Sequence, residues 1–239
     1  MKTALVLSAG GMYAAWEAGV WKALQRRWQP DVVVGASAGA LNGWAIAGGV
    51  AAEELASHWL DPRTGGLMHF GVHRTGVLRP EALEVETREL AERFHPRIPF
   101  GLVLAEVPRL RPRLVRDSEI TWKHLLATCA IPLGYPPVRI DGHWYVDGGL
   151  VSSLPLWAAE EMGAERALAL NVLTALPFRM LRAVLHPRRA SAALKVIHLV
   201  PGRRLGPLRD AVRWSADNIR RWIAEGERDG ERALELLIP

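Results

Sequence analysis

Residues 31–49 read DVVVGASAGALNGWAIAGG, and this stretch contains the clearest structural signal in the chain. The apolar run from Asp31 to Gly35 predicts a buried strand, and the small residues that follow through Ala47 predict a helix packed closely against a sheet. Between them, Gly35-Ala36-Ser37-Ala38-Gly39 matches G-x-S-x-G, a sharp strand-to-helix turn that can present a nucleophilic serine. The pentapeptide alone also fits a glycine-rich turn with a helix-capping serine, so its context has to decide.

The preceding segment repeats the same order of elements. Thr3 to Leu7 predicts a buried strand, Ser8-Ala9-Gly10-Gly11 a turn, and the apolar spacing from Tyr13 to Trp28 a helix. Two successive strand–turn–helix units indicate parallel strands with helices on both faces. The sequence therefore predicts the α/β class, with one domain over residues 1–239.

Further elements follow from apolar periodicity and from the positions of glycine and proline. Strands are predicted at Leu102–Val107, Val138–Ile140, Trp144–Val146, Ala167–Val172 and Lys195–Leu199. Helices are predicted at Ala51–Leu60, Pro80–Phe94, Leu208–Ala224 and Glu227–Leu237. The Gly- and His-containing stretch from Arg63 to Gly76 is predicted to be a mobile flap, and Leu176–His186 to be an amphipathic basic segment.

Composition is that of a globular protein, with 49% hydrophobic and 23% charged residues among 239. No apolar run approaches the roughly 20 residues needed to span a bilayer. The apolar start of the chain is too short for a secretory signal and runs directly into the first glycine turn. With one cysteine, Cys129, no internal disulfide can form, so a cytoplasmic location is expected.

Basic residues exceed acidic ones and give a net charge of +5. The excess lies late in the chain, at Arg179, Arg182, Arg188, Arg189, Lys195, Arg203 and Arg204. Scattered surface arginine is one explanation, and peripheral contact with an anionic membrane, aided by some of the ten tryptophans, is another. No nucleic-acid partner is expected.

Two glycine-containing turns complete the candidate site. Gly10 and Gly11 follow the first strand, where exposed backbone N–H groups could bind an oxyanion. An ordinary turn and a nucleotide-binding loop are the competing interpretations; against the second, the spacing does not complete G-x-G-x-x-G and no P-loop lysine follows. Asp147-Gly148-Gly149 follows a predicted hairpin, and alone it is a weak signal because Asp and Gly are common in turns.

Three segments together resemble the patatin-like phospholipase family. They are ALVLSAGGMYAAWEAGVWKAL, VVVGASAGALNG, and LLATCAIPLGYPPVRIDGHWYVDGGLVSSLPLWAAEEMGA, in the order that the family has them. The resemblance extends from about Thr3 to Val172. It implies a three-layer α/β/α sandwich with a mostly parallel central sheet, and hydrolysis of lipid or lysolipid esters by a Ser-Asp dyad without histidine.

Carried over by motif, the resemblance implies that Ser37 is the nucleophile and Asp147 its general base. It implies oxyanion donors at Gly10, Gly11 and Met12, with Gly35 and Gly39 forming the nucleophile elbow. No metal ion and no cofactor is expected. A serine hydroxyl needs a neighbouring base to accept its proton, and burial would strengthen a carboxylate in that role.

The chain departs from the family pattern in the glycine loop. Ala9 stands where the family usually has its first glycine, and Tyr13 and Ala14 stand where it has a basic residue followed by glycine. Alanine lacks the access to positive φ that glycine has, and the missing basic residue weakens anion stabilisation. A lipid-binding or regulatory protein with weak turnover is therefore a second hypothesis.

Other residues suggest alternative chemistry. The order Ser37, Asp147, His198 would suit an α/β-hydrolase triad, although Ser37 follows only the second predicted strand, which is early for that fold. His198 within KVIHLV also fits an ordinary strand residue. His69 and His73 near Asp61 lack a compact metal-ligand pattern. Cys129, among small apolar residues, fits a packed thiol.

Overall fold

The computed structural model describes residues 1–66, 70–73, 76–78, 80–173 and 188–237. Strands within this part of the chain are β1 Thr3–Leu7, β2 Val32–Ala36, β3 Phe70–His73, β4 Gly76–Leu78, β5 Phe100–Val107, β6 Arg111–Arg116, β7 Val138–Ile140, β8 His143–Asp147, β9 Arg166–Leu170 and β10 Lys195–Leu199. Helices are α1 Ala15–Leu24, α2 Ala38–Ala47, α3 Ala52–Leu60, α4 Pro62–Gly66, α5 Pro80–Arg93, α6 Trp122–Thr128, α7 Leu156–Glu161 and α8 Ala216–Leu237. Short 3-10 turns lie at Gly11–Ala14, Asp117–Glu119, Gly148–Leu150 and Leu208–Val212.

A mixed, mostly parallel sheet lies at the centre of the fold, in the order β10-β9-β1-β2-β5-β8-β7, with β6 also pairing with β5. The strands β10, β9, β1, β2 and β5 pair in parallel, as the two strand–turn–helix units predicted. Helices cover both faces of this sheet. The predicted α/β/α architecture is confirmed.

The two faces of the sheet have separate apolar cores because successive side chains of a strand point to opposite faces. Leu5, Leu7 and Leu102 pack with α1, α2, α3 and α8, whereas Ala4 and Val6 pack with α7. The near-continuous burial of β1 and β2 explains why both read as uninterrupted apolar runs.

The strand β5 brings two other strands together end to end. Along one edge, its residues Gly101–Glu106 pair with β6. On the opposite edge, β2 pairs in parallel with residues 100–103, and β8 pairs in antiparallel with residues 104–107. The carboxyl ends of β2 and β8 therefore meet, with Ala36 opposite Val103 and Asp147 opposite Leu104.

The C-terminal prediction was wrong in one respect. Instead of helices at Leu208–Ala224 and Glu227–Leu237, the structure has a 3-10 turn at Leu208–Val212 and then one uninterrupted helix, α8. Gly226 does not break this helix but permits close packing: a Cβ there would lie 2.0 Å from the Trp16 carbonyl oxygen of α1. The Trp16 indole also donates a hydrogen bond of 2.8 Å to buried Asp229.

The other predicted strands and helices are confirmed to within about two residues, except that α1 ends at Leu24, four residues before the predicted end at Trp28. The elements that were not predicted are α4, β3, β4, β6, α6 and α7. The proposed flap at Arg63–Gly76 contains the end of α4, strand β3 and the start of β4, and residues 67–69 and 74–75 lie outside the described part. Its mobility stays a prediction. The amphipathic segment Leu176–His186 also lies outside the described residues.

Candidate active site

Ser37 occupies the turn between β2 and α2 in a backbone conformation that is rare for a residue with a side chain, with φ +54° and ψ −136°. Its backbone N–H donates to the Thr128 hydroxyl at 3.0 Å, and that hydroxyl donates to the Val103 carbonyl at 2.9 Å. The strained turn is thus tied to β5 through α6.

The two elbow glycines are required by close backbone approach. A Cβ on Gly35 would lie 2.6 Å from the Ala40 Cα, and one on Gly39 would lie 2.4 Å from the Ser8 carbonyl oxygen. Side chains at either position would separate α2 from β1 and β2. Since this contact sets where α2 begins, it also sets the position of Ser37.

Asp147 lies at the carboxyl end of β8 and accepts two hydrogen bonds. Its Oδ2 accepts from the Ser37 hydroxyl at 2.7 Å, and its Oδ1 accepts from the Gly149 backbone N–H at 2.6 Å. The Ser37 side chain makes no capping bond to α2, so the alternative of a helix-capping serine does not describe it. The two residues are 110 positions apart in the sequence, and the structure brings them into direct contact.

Burial makes this carboxyl group unusually basic. Asp147 is 4% exposed, and desolvation raises its pKa from 3.8 to about 7, although the hydrogen bonds from Ser37 and Gly149 oppose the shift. Neither hydrogen bond comes from a cation. At neutral pH the group therefore exists in both forms and can accept a proton from a hydroxyl far better than an exposed aspartate can.

A small pocket of about 50 Å³ opens at Ser37. Gly11 and Met12 line it, together with Leu41, Trp59 and Cys129 among others. Gly10 is not among the lining residues and packs against Val172, where a Cβ would lie 2.2 Å from the valine side chain. Of the three predicted oxyanion donors, Gly11 and Met12 are thus at the pocket surface.

The side chain that replaces the expected basic residue points elsewhere. The Tyr13 hydroxyl donates to the Pro207 carbonyl at 2.6 Å, and its ring packs edge-on against Trp222 with ring centroids 5.0 Å apart. The described residues that line the Ser37 pocket do not include Tyr13. It anchors the glycine loop to the C-terminal region.

A buried polar network supports the glycine loop from behind, and the sequence analysis missed it. Fully buried Glu17 accepts hydrogen bonds from the Ser8 backbone N–H at 2.9 Å and from the Asn42 amide at 3.1 Å. The Asn42 carbonyl oxygen accepts from the Trp59 indole at 2.9 Å. Burial raises the pKa of Glu17 to about 8. A charged residue inside the apolar run AWEAGVW was the available signal.

The described residues form neither the triad with His198 nor a metal cluster. His198 is exposed on edge strand β10, three strands from β2, or about 14 Å at the usual strand spacing. No group of three metal-ligating side chains occurs among the described residues, and His69 lies outside them. Cys129 is buried beside the serine, and burial raises its pKa, so it stays a thiol.

Taken together, the α/β sandwich and the Ser–Asp pair at a strand-to-helix elbow have the geometry expected of a serine-hydrolase site. A profile of the patatin-like phospholipase family matches residues 5–160. The chain belongs to this family, and membership supports the class of lipid ester hydrolases.

Similar proteins agree with this assignment. Patatin-like phospholipase domain-containing protein 6 of mouse (Mus musculus) and that of human (Homo sapiens) are each 26% identical over 193 residues, which cover 71% of this chain and 13% of the relative. The chain thus spans about one eighth of the length of these curated relatives. The crystal structure of VipD from Legionella pneumophila matches 98% of this chain and 67% of its own, with a TM-score of 0.55 and 13% identity, which shows the fold alone.

Proposed function

We propose that this chain is a serine acyl-ester hydrolase of the phospholipase A, lysophospholipase or esterase type, acting on lipid esters through Ser37 and Asp147. The observation that carries the proposal is the 2.7 Å hydrogen bond from the Ser37 hydroxyl to a buried carboxylate whose pKa is raised to about 7. This geometry gives a weak nucleophile the adjacent base that it needs.

The reaction proceeds in two halves. Ser37 Oγ attacks the ester carbonyl carbon while its proton passes to Asp147 Oδ2, and backbone N–H groups of the Gly11–Met12 loop stabilise the oxyanion. Asp147 then returns this proton to the departing alkoxide as the ester C–O bond breaks, which leaves an acyl-enzyme. Water attacks the acyl carbon and gives a proton to Asp147. The bond to Ser37 Oγ breaks, and the proton returns to the serine.

Kinetics with a short-chain p-nitrophenyl ester test this proposal. Ser37→Ala and Asp147→Asn should each lower kcat/KM by at least about 10³-fold, whereas Ser57→Ala and Asp217→Asn, which alter exposed side chains, should not. Because only ionised Asp147 can accept the proton, kcat/KM of the unaltered chain should rise tenfold per pH unit below a midpoint near pH 7. Full activity of Ser37→Ala would refute the assignment.

The orientation of Tyr13 favours a second candidate, a lipid-binding or regulatory protein with weak turnover. A tyrosine carries no positive charge, and the Tyr13 hydroxyl is turned away to the Pro207 carbonyl, so this position supplies no cation where the family usually has one. Reaction with a fluorophosphonate probe separates the candidates. Stoichiometric labelling at Ser37 supports a working nucleophile, and absence of labelling in folded protein supports the binding role.

We also expect peripheral contact with anionic membranes. Residues 203–213 expose Arg209 and Arg213 beside Leu208 and Val212, and this segment contacts the glycine loop through the bond between Tyr13 and Pro207. Basic and apolar side chains on one surface suit the boundary of an anionic lipid layer. Within the described residues, no helix has the length and apolar character needed to cross a bilayer.

A further inference from the structure

A second, larger cavity lies between α2, α3 and α5. It has a volume of about 420 Å³, which is within the range of small-molecule sites. Its floor is mainly apolar and is formed by Leu41, Ala45, Leu55, Trp59, Leu90 and Phe94. Nothing in the reaction derived above uses this space.

The cavity adjoins the pocket of the nucleophile. Leu41 and Trp59 line both spaces, so the two spaces adjoin at these side chains. Ser37, Leu41 and Ala45 follow one another at four-residue intervals, which places them on one face of α2. With a rise of 1.5 Å per residue, Ala45 lies about 12 Å along the helix from the serine. The cavity thus extends away from the reacting carbonyl along the helix that Ser37 begins.

The chemistry of the floor favours a hydrocarbon chain. The uncharged polar side chains that line the cavity are already paired: the Trp59 indole donates to the Asn42 carbonyl oxygen, the Asn42 amide donates to Glu17 and Ala14, and the Thr64 hydroxyl donates to the His58 carbonyl. Charged residues also line the cavity, and several form ion pairs with each other, as Arg93 does with Glu54 and His58 with Glu86. Glu81 and Glu89, which also line the cavity, are exposed to solvent, so a ligand on the apolar floor meets no buried polar group that it must satisfy.

We propose that this cavity holds the acyl chain of the ester that Ser37 attacks, with Leu41 and Trp59 as the passage and Ala45 as the residue that sets chain length. The inference rests on the proposed hydrolase function. Ala45 lines the cavity with a small side chain, so a larger side chain at this position would take up part of its volume. A larger residue there would exclude the distal part of a long chain.

Chain-length kinetics test this assignment. The ratio of kcat/KM for p-nitrophenyl decanoate to that for p-nitrophenyl acetate is measured for the unaltered chain, for Ala45→Phe and for the control Ala192→Phe, which alters an exposed alanine on the opposite side of the sheet from α2. Each methylene buried is worth about fourfold in rate, so excluding three should lower the ratio by about 60-fold in Ala45→Phe. The control ratio should stay within about twofold. Ala45→Val, a smaller enlargement, should lower the ratio by a lesser amount and serves if Ala45→Phe does not fold.

These esters carry no lipid head group, so their chain-length dependence reports the acyl side alone. An unchanged ratio in folded Ala45→Phe and Ala45→Val would overturn the inference even if Ser37→Ala abolishes hydrolysis. Conversely, calorimetric binding of decanoic acid to the Ser37→Ala protein, lost on adding Ala45→Phe, would support the cavity even if no ester is hydrolysed. Loss of glycerophospholipid cleavage with an unchanged nitrophenyl-ester ratio would assign the cavity to the alcohol side and contradict the inference.

Discussion

Replacing Asp147 by Asn should stabilise the fold at high pH while it removes activity. The folded-state pKa of about 7 lies about three units above the ordinary value of 3.8. Between these two values the unfolded chain has released the proton and the folded chain still holds it. The stability of the unaltered protein therefore falls as pH rises through this window, by up to 1.36 kcal/mol per unit, or about 4 kcal/mol in total.

Asparagine avoids this cost and can keep both hydrogen-bonded contacts of the carboxylate. Its Oδ1 can accept from the Gly149 N–H as the carboxylate does, and its amide can donate to the Ser37 hydroxyl, which accepts after rotation. Asp147→Asn should therefore match the unaltered protein near pH 4 and exceed its free energy of unfolding by up to about 4 kcal/mol at pH 8. This corresponds to roughly 10 °C in Tm for a chain of this size.

Urea unfolding of both proteins at pH 4, 6 and 8 measures the effect. The difference between the two curves isolates Asp147, because Glu17, which titrates in an overlapping range, is present in both. A difference that does not change with pH, or a variant that is less stable at pH 8, would show that the carboxylate is not desolvated in the folded protein. The raised basicity on which the proposed reaction depends would then be absent.

Two further predictions concern the support of Ser37 and the membrane surface. Thr128→Val leaves the buried Ser37 N–H without its acceptor, so the free energy of unfolding should fall by about 1 to 3 kcal/mol. In the ester assay, kcat should fall by a larger factor than KM rises. An unchanged kcat would contradict this role of Thr128. Combined Arg209→Glu and Arg213→Glu should lower the affinity for anionic vesicles, measured by sedimentation, by about 30-fold, because each arginine contributes about 1 kcal/mol. Ester hydrolysis in solution should be retained. Equal vesicle binding by the variant would exclude this surface.

The sequence predicted the buried strands well and the exposed elements poorly. The strands β1 and β2 are buried along almost their whole length, so their residues must be apolar and the pattern is plain. The strand β6 reads RPRLVR and alternates charge with partly buried side chains, so it carries no such signal. Likewise, Gly226 was taken to divide α8 into two helices. The structure shows that this glycine permits close contact with α1, which is distant in the sequence and gives no local signal.

The candidate site was predicted unevenly for a related reason. The resemblance supplied Ser37 and Asp147, whereas no local rule relates two residues 110 positions apart. Thr128 and Glu17 were missed because their roles depend on what they contact and not on their own neighbours in sequence. Their hydrogen bonds to Ser37 and Ser8 exist only once α6 and α1 have packed against the sheet.

The register of β5 is what makes the contact between serine and aspartate possible. The strand β2 ends opposite Val103, and β8 ends opposite Leu104. Ser37, which follows β2, and Asp147, which ends β8, therefore meet along one edge of β5. A slip of β8 by one residue would turn the Asp147 side chain to the other face of the sheet. Gly148 opposes such a slip, since its backbone approaches the Val103 carbonyl so closely that a Cβ would lie 1.9 Å from the oxygen. The position of the carboxylate is therefore set by backbone packing, which holds it beside the hydroxyl despite the cost of its burial.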